Sequence, residues 1–401
     1  MQRVSMALVG AALVSLLAIQ CSDSSDESDP CDGPCTTSPS GTGAQGGSAG
    51  EGGGAGLSSS GGGGAGGATS GPESYLDILD EAVGFAQPDG GAVGPRIFVT
   101  SLDDSGPGTL REALALPGAK WISFTEGLTG TIDAESWLSI PSDTTVDGRG
   151  ADVTVSGNGM TIDGSSNVIV THMKFDATSN DEVRIIHGAG PAWIHHCTFR
   201  DYGDGAIDIT GGADQILTDV TVSWCHVDHG SKASLVSSTS DPASGNFDWN
   251  IYVTFHHNYF DGNSERSPRT RFAKVHHFNN YLREAGYIGA STLAEIIVEN
   301  DIFETDSATR ATYVNCIGGD CDFNSDWGLA PDEGGALKGA GNWLDAGTTT
   351  ASYATANEGQ VFQEFSGQVP PYPYSLEPAD DGLRSSIAAG AGWRSVPLPP
   401  D

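Results

Sequence analysis

The chain has 401 residues and a formal net charge of −34, because 52 aspartate and glutamate residues outnumber 18 lysine and arginine residues. Such acidity excludes nucleic acid as a plausible partner, since a phosphate backbone needs a broad basic surface. It also leaves room for a bound cation, and calcium prefers clustered carboxylates.

The N-terminal segment predicts an export signal. Arg3 precedes an apolar run from Ala7 to Ile19, which is too short to span a bilayer and fits the hydrophobic region of a signal peptide. Cys21 follows directly, as in bacterial lipoproteins, although Gln20 stands where a small residue is usual. We therefore expect an exported protein: an outer-surface lipoprotein anchored through Cys21, which we favour, or a plainly secreted one.

Composition divides the rest of the chain into two parts. Residues 36–73 are almost entirely glycine, serine, alanine and threonine, which cannot bury enough apolar surface to offset their ordering entropy. The sequence therefore predicts a signal peptide over residues 1–21, a flexible linker over 22–73 and one large domain over 74–401.

The seven cysteines include two close pairs, Cys31 with Cys35 and Cys316 with Cys321. Export permits disulfides, so each pair can close a small loop. Metal binding is the weaker alternative, because no Cys/His spacing typical of a zinc site accompanies either pair.

The domain begins with two short amphipathic stretches, residues 74–86 and 108–118, that predict helices. Behind them, six eight-residue strings start at residues 168, 192, 220, 253, 275 and 296, so that one string recurs every 21–33 residues. Each string ends on a large apolar residue, and alternation within it predicts a strand. The third positions, expected to face one side together, are Val170, Ile194, Val222, Phe255, His277 and Val298.

This period predicts an all-β fold, a parallel β-helix in which each coil stacks on the one before it. The open end of such a solenoid must be covered, so we expect the two short helices to act as caps. A β-sandwich would also contain short strands, but its neighbouring strands are antiparallel and give no reason for like residues to align in one column.

The sixth position of the strings supports the stacking. It is occupied in turn by Met173, Cys197, Cys225, Asn258, Asn280 and Asp301. Stacked coils would place neighbours in this column about 4.8 Å apart. We therefore expect an amide ladder through Asn258 and Asn280, and a stack of small apolar side chains at Cys197 and Cys225, where a disulfide is conceivable but not implied.

Three stretches carry a resemblance to a known family. They are FVTSLDDSGPGTLREAL, the segment from AWIHHCTFRDYGDGAIDI to HVDHGSKASL, and VTFHHNYFDGNSERSPRTRFAKVHHFNNYL. In this order and spacing they resemble the calcium-dependent pectate lyases, which are right-handed parallel β-helices, and the likeness runs from Arg96 to Gly392. The resemblance implies polygalacturonate as the substrate, calcium as the cofactor and β-elimination as the reaction, and we expect a monomer.

A basic cluster lies within the third stretch, where Arg266, Arg269, Arg271 and Lys274 fall within nine residues of a chain that is poor in cations. The resemblance implies that Arg266 is the base that abstracts a proton and that Arg271 binds a substrate carboxylate, with Arg269 beside it. It also implies that Lys232, in HGSKASL, contacts a substrate carboxylate. A guanidinium is ordinarily a poor base, so the role of Arg266 needs neighbouring positive charge and alkaline pH.

The metal ligands are predicted just before these residues. Asp204 and Asp208 in DGAID lie four apart and would share one face of a strand, where two carboxylates repel each other unless a cation sits between them. The resemblance implies that both bind calcium. It places a further ligand upstream, for which we prefer Glu182 over the adjacent Asp181, with Asn180 at another family position.

Other functions remain open from the sequence. A pectin lyase would act without calcium, and Asp204 and Asp208 argue against it, whereas a lyase for another polyuronate would need nearly the same site. A different class is a non-catalytic β-helix that binds polysaccharide at the cell envelope. His195 stands where the family commonly has aspartate, a replacement that we expect to affect substrate preference or the pH optimum.

Overall fold

The computed structural model describes the residues 74–211, 218–238, 250–291, 294–305, 313–315, 336–344 and 370–401. In this part of the chain, successive coils pass through three parallel sheets, here named A, B and C, of ten, nine and eight strands. The fold is thus the expected parallel β-helix. The predicted signal peptide, the linker and both close cysteine pairs lie outside the described residues.

Each sheet takes one strand from each coil. Sheet A consists of Arg96–Val99, Lys120–Phe124, Thr144–Asp147, Val168–Thr171, Ala192–His195, Thr218–Ser223, Ile251–His256, Lys274–Phe278, Glu295–Glu299 and Ala336–Ala340. Sheet B consists of Thr129–Ala134, Asp152–Gly157, Lys174–Thr178, Thr198–Arg200, His226–Asp228, Tyr259–Asp261, Tyr281–Arg283, Ile302–Glu304 and Trp343–Leu344. Sheet C consists of Leu138–Ser139, Met160–Asp163, Val183–Ile186, Gly205–Ile209, Lys232–Val236, Arg269–Arg271, Ile288–Ser291 and Tyr313–Asn315.

The register of sheet A agrees with the alignment of the repeats. The third-position residues pair strand to strand as the column Val170, Ile194, Val222, Phe255, His277 and Val298. Their apolar members belong to the hydrophobic interior of the solenoid. The one imidazole in the column, His277, is fully buried and pairs with the buried carboxylate of Asp301, as a polar side chain inside a core must.

From Val168–Thr171 onward, a two-residue turn joins each strand of sheet A to sheet B. Its first residue has a positive φ in the left-handed region at His172, His196, Trp224, His257, Asn279 and Asn300. Its second residue is the sixth-position column of the repeats. Asn258 Nδ2 donates to Asn280 Oδ1 at 2.9 Å, and the backbone amide of Asn280 donates to Asp301 Oδ1 at 2.7 Å. The predicted ladder is therefore confirmed. Cys197 and Cys225 are free, buried thiols without a disulfide.

The first α-helix, Leu110–Ala115, is the expected cap. Thr109 begins it by accepting a hydrogen bond from the Glu112 amide on its side chain, and this contact satisfies one of the unpaired amides of the first turn. Leu110 and Leu114 are buried in the interior cluster, and the helix thereby covers apolar residues of the first coils.

Residues 74–86 were predicted to form a second helix that caps the same end of the solenoid, and the predicted capping position is wrong. It forms a 3₁₀ helix, Tyr75–Glu81, whose Ile78 packs against Trp121 and Trp193. These indole rings point outward from sheet A, on the opposite face to the interior residue Ile122. Large apolar rings on an outer face need cover, and the helix supplies it there.

The C-terminal segment covers sheet B in the same way. Its α-helix, Asp381–Gly390, begins at the cap Asp380 and packs Leu383 and Ile387 against Tyr259 and Tyr281. The outer faces of sheets A and B therefore carry terminal segments, whereas the predicted site residues lie along sheet C. Among the described residues, the helices are all too short or too polar to cross a membrane.

Candidate active site

Three neighbouring strands of sheet C position the predicted site residues. They are Gly205–Ile209, Lys232–Val236 and Arg269–Arg271. Asp208 pairs with Leu235, and Leu235 pairs with Arg269, so Asp208 and Arg269 occupy one column two strands apart. At about 4.8 Å per strand, the Cα atoms of Asp208 and Arg269 thus lie about 10 Å apart, with Leu235 between them.

Asp181 and Asp208 converge on Gly205. The Gly205 amide donates to Asp181 Oδ1 at 3.0 Å, and Asp208 Oδ1 accepts a hydrogen bond from the Leu235 amide at 2.9 Å. A Cβ atom on Gly205 would lie 2.4 Å from Asp208 Oδ1 and 3.1 Å from Asp181 Oδ1. Glycine is therefore required here, because the two carboxylates occupy the space of a side chain.

These carboxylates repel one another. Burial, and then the charge of Asp181, raise the pKa of Asp208 to about 8. Burial raises the pKa of Asp181 as well, and the charge of Asp204 adds to it although the Gly205 amide opposes the change. Asp204 itself is half-exposed and forms an ion pair with Lys232. The group as a whole therefore favours a positive charge among its three carboxylates.

The donor set fits calcium. Two carboxylates, those of Asp181 and Asp208, meet at Gly205, and Asp204 is the residue directly before that glycine, so the group offers the hard oxygen ligands that calcium takes in proteins. Asn180 contributes to the same turn through its backbone, since its carbonyl accepts from the Gly203 amide at 3.2 Å and the Asp204 amide at 3.3 Å. These bonds hold Asp204 at the edge of the group.

Glu182 does not join the aspartate group. Its buried side chain reaches the Arg200 amide at 3.4 Å, and burial, followed by the charges of Asp176 and Asp201, raises its pKa. The geometry therefore brings Asp181, and not Glu182, to the side chain of Asp208. Alternation did not reveal this, because residues 181 and 182 precede the strand that begins at Val183.

Arg266 is held by its backbone on two sides. Its carbonyl accepts from the Ser234 amide at 2.7 Å, and the next residue, Ser267, donates its amide to the Tyr287 carbonyl, also at 2.7 Å. The φ of Arg266 is 58°, a left-handed conformation that is uncommon for a long side chain and is stabilised by these contacts. The Nε atom is buried and has no hydrogen-bond partner among the described residues, and the positive charge lies close enough to oppose the raised pKa of Asp208.

The other predicted cations line the same face. Arg269 and Arg271 are two residues apart on one strand, so their side chains project to the same side, and both are almost fully buried. Lys232 begins the neighbouring strand and is partly exposed at its pair with Asp204. The structure thus brings all four predicted cations of the site to one sheet beside the aspartates.

Sequence reasoning missed two residues of this face. Tyr287 lies on the next coil, where burial raises the pKa of its phenol and the charge of Arg269 opposes that rise. Arg184 pairs in register with Asp208, and its guanidinium stacks 4.0 Å from the centre of the Trp137 ring. Both could have been found by extending the repeat alignment from sheet A to sheet C.

His195 lies elsewhere. Its ring is buried on sheet A, where Nε2 is 3.2 Å from Glu81 Oε2 and Nδ1 is 3.0 Å from Ser223 Oγ. It is not among the residues of sheet C that form the candidate site. The expected effect of this replacement on substrate preference or pH optimum therefore has no support in the geometry.

The chain is similar to known pectate lyases. A family model described as pectate lyase matches residues 81–395. A pectate trisaccharide-lyase from Thermotoga maritima is 33% identical over 222 residues, which are 50% of this chain and 57% of that protein. The first curated relatives are thus matched over little more than half of their length.

Solved structures agree with the fold. The major allergen jun a 1 from cedar pollen superposes with a TM-score of 0.64 at 24% identity, covering 80% of this chain and 95% of that one. A pectate lyase from Bacillus sp. N165, solved in complex with trigalacturonate, has a TM-score of 0.53 at 18% identity, covering 80% and 98%. Because the family model spans most of the chain, the protein belongs to the pectate lyase family.

Proposed function

We propose that this protein is a pectate lyase that cleaves polygalacturonate by calcium-assisted β-elimination. The observation that carries the proposal is the juxtaposition on sheet C of an aspartate group with Arg266, Arg269 and Arg271, in a chain that has only 18 basic residues. A polyanionic substrate explains why an acidic chain carries both the aspartate group, which would hold a cation, and the arginines at one surface, because positive charge is needed only where the substrate binds. The related Thermotoga enzyme is named for action on pectate, and the Bacillus enzyme binds trigalacturonate.

Asp181, Asp204 and Asp208 would hold the calcium ion. When bound, calcium supplies positive charge beside a uronate carboxylate and so stabilises the enolate-like charge that develops when the neighbouring proton leaves. Asp204 would also affect substrate binding through Lys232. Its carboxylate holds Lys232 in an ion pair, and ligation to a cation would weaken that pair and turn the ammonium toward a substrate carboxylate.

The arginines would hold the chain of uronates. Arg269 and Arg271 project from one strand, and a guanidinium can bind a carboxylate through two parallel hydrogen bonds. Their burial means that part of the desolvation cost of such an ion pair is met in folding rather than in binding. Tyr287 lies near the same guanidinium groups, whose positive charges oppose the rise in the pKa of its phenol.

Arg266 would act as the base. In the reaction, the proton on C5 passes to the Arg266 guanidine, the C5–H electrons form the C4–C5 double bond, and the C4–O4 bond breaks with its electron pair on O4. Solvent then protonates O4. Neighbouring positive charge and alkaline pH are what allow a guanidinium to give up a proton first. The rigid backbone around Arg266 would keep the base in one position relative to the bound ring.

We further propose that the protein is exported and works as a monomer. The apolar run before Cys21 supports export, and Cys21 itself would carry a lipid at the outer surface of the cell, with secretion as the alternative. The stretch that is rich in glycine and serine would then serve as a tether. Labelling with a radioactive fatty acid, in the wild type and in Cys21→Ser, would decide between the two, since only a lipoprotein loses label in the variant.

The function is tested by ultraviolet absorbance of unsaturated uronides released from polygalacturonate at alkaline pH. We expect absorbance to rise with added calcium and to stay flat with a chelator. Activity that persists on highly methyl-esterified pectin without calcium would identify a pectin lyase instead. Binding of polygalacturonate without any release of unsaturated product would favour a non-catalytic binding module, and release from another polyuronate alone would reassign the substrate.

A further inference from the structure

Two groups of side chains outside the aspartate group place three potential metal-ligating atoms within 4.8 Å of one another in the described residues. The first, here called the histidine–glutamate cluster, consists of Glu81, His195 and His196. The second consists of His226, Asp228 and Asp261. They lie on the outer faces of sheets A and B, away from the strands that carry the candidate active site.

The carboxylates of the second group are already used. Asp228 Oδ2 accepts from Arg200 Nε at 2.8 Å, and Asp261 accepts from Arg283 Nε at 2.8 Å and Nη2 at 2.6 Å. A metal ion would have to displace a guanidinium from each carboxylate. Two-point arginine contacts are among the stronger ion pairs of proteins, so this group is not a good metal site.

The carboxylate of the histidine–glutamate cluster is more accessible. The Glu81 side chain is 54% exposed, and its Oε2 lies 3.2 Å from His195 Nε2. The His195 ring is fully buried, and its Nδ1 lies 3.0 Å from Ser223 Oγ. In metal sites, a ligating histidine is oriented by a hydrogen bond from its other ring nitrogen, and Ser223 supplies that contact here.

His196 is the second imidazole of the cluster. It is 4% exposed, so its ring is held in place by the surrounding side chains. Its Nε2 accepts from Arg394 Nη2 at 3.1 Å, because a guanidinium can only donate. Glu81 and His196 line one half-open cleft of about 360 Å³ together with Arg149 and Arg394, so an ion can reach these two ligands from solvent.

Both imidazoles are ready to ligate a metal. Burial lowers the pKa of His195 and of His196, so both rings are neutral at neutral pH and each has one lone pair to offer. The lone pair of His196 accepts from Arg394, so an ion would have to displace that guanidinium. In a tetrahedral zinc site the ligand atoms lie about 3.3 Å apart, as follows from Zn–N and Zn–O bonds of about 2.0–2.1 Å. The ligand atoms of the cluster lie within 4.8 Å of one another, and the exposed Glu81 is the side chain that can move to shorten these distances to about 3.3 Å.

We propose that the histidine–glutamate cluster binds a divalent transition metal ion such as Zn²⁺, with water completing the coordination. Two imidazoles and one carboxylate are the ligands that zinc, nickel and cobalt accept, whereas calcium prefers oxygen donors alone. The ion would tie the 3₁₀ helix Tyr75–Glu81 to sheet A. It is thus a structural site, separate from the aspartates of sheet C.

The test is a zinc titration by calorimetry. It uses the metal-stripped, tag-free full chain in excess calcium, so that the aspartate group is saturated. Glu81→Gln should weaken zinc binding at least about tenfold, since loss of even a supporting contact costs 10–100-fold. Glu377→Gln is the matched control, because Glu377 is an exposed carboxylate that contacts another buried imidazole, His257, at 2.8 Å. It should leave zinc affinity unchanged.

A second variant tests the same site in the opposite direction. Arg394→Ala removes a positive charge and a competing donor from His196, so zinc should bind more tightly than to the wild type. Cobalt bound to the wild type should give visible absorption of a tetrahedral site that is lost in Glu81→Gln. No zinc binding, equal affinity of wild type and Glu81→Gln, or no gain in Arg394→Ala would each overturn the proposal.

Discussion

At the scale of single residues, catalysis depends on what the structure fixes around each side chain. The backbone of Arg266 is held by two hydrogen bonds of 2.7 Å in a left-handed conformation, while its Nε atom has no hydrogen-bond partner in the part of the chain that the structure describes. A strained and rigid position of this kind is typical of a functional site. Arg266 is therefore the residue where a conservative change should separate binding from turnover.

We expect Arg266→Lys to lower kcat at least about 100-fold, because loss of a positioned base typically costs 10²–10⁴-fold. The Kd for trigalacturonate should change little, since the positive charge remains. Steady-state kinetics and calorimetry measure the two quantities. The control is Arg384→Lys, the same change in a partly exposed residue of the C-terminal helix, which should leave kcat within a factor of about two. Equal loss of binding and turnover would mean that Arg266 only holds the substrate.

A second prediction separates the ligand that the sequence favoured from the one that the geometry favours. Asp181→Asn should raise the calcium concentration for half-maximal activity at least about tenfold, because it removes one of the two carboxylates that meet at Gly205. Glu182→Gln should leave it unchanged, because Glu182 faces the Arg200 amide and glutamine keeps its shape. Circular dichroism would check that both variants fold. The opposite ranking would restore Glu182 as the ligand.

At the scale of elements, the sequence repeat accounts for most of the structural features that could be predicted. The column from Val170 to Val298 and the Asn258–Asn280 ladder depend on a period that is visible in the sequence, because stacked coils must place like residues together. The position of the helix Tyr75–Glu81 depends instead on which outward rings need cover, and no local pattern encodes that contact. Asp181 was ranked second because the upstream ligand was placed from the family resemblance, and alternation, which does not extend into turns, could not correct that placement.

The ladder itself can be tested for its contribution to stability. Asn258→Ala removes hydrogen bonds to the Cys225 amide and to Asn280, and it leaves their buried partners unsatisfied. We expect a loss of about 2–4 kcal/mol in the free energy of unfolding, from 1–3 kcal/mol for each unsatisfied group. Urea denaturation measures it. Asn180→Ala, at an exposed side chain, is the control and should cost less than about 0.5 kcal/mol.

At the scale of the whole molecule, an acidic protein buries many imidazoles on the outer face of sheet A. His256 is fully buried, and burial, followed by the charge of His257, holds its pKa well below the usual value. Burial also lowers the pKa of His257 and His276, although Glu377 and Glu299 oppose the shift for these two. In the folded state these rings are therefore neutral over a pH range in which a free histidine takes up a proton.

The sign of the pH dependence follows from this difference. Below about pH 6.5 the unfolded chain binds protons that the folded chain refuses, so the free energy of unfolding falls as pH decreases. One such histidine contributes a slope of at most about 1.4 kcal/mol per pH unit. Asp208, whose pKa is raised to about 8, acts in the opposite sense. The unfolded chain gives up this proton at about pH 4 and the folded chain keeps it to about pH 8, so the free energy of unfolding falls as pH rises between these values.

The variant His256→Asn separates the two contributions. It removes one buried imidazole and leaves Asp208 in place, so the difference between wild type and variant should grow in favour of the variant as pH falls below about 6.5, by up to about 1.4 kcal/mol per pH unit. Urea denaturation at a series of pH values, in excess calcium, measures this difference. A difference that does not depend on pH would mean that His256 gains a proton in the folded state, in which case its neighbours, and not its burial, would govern acid stability.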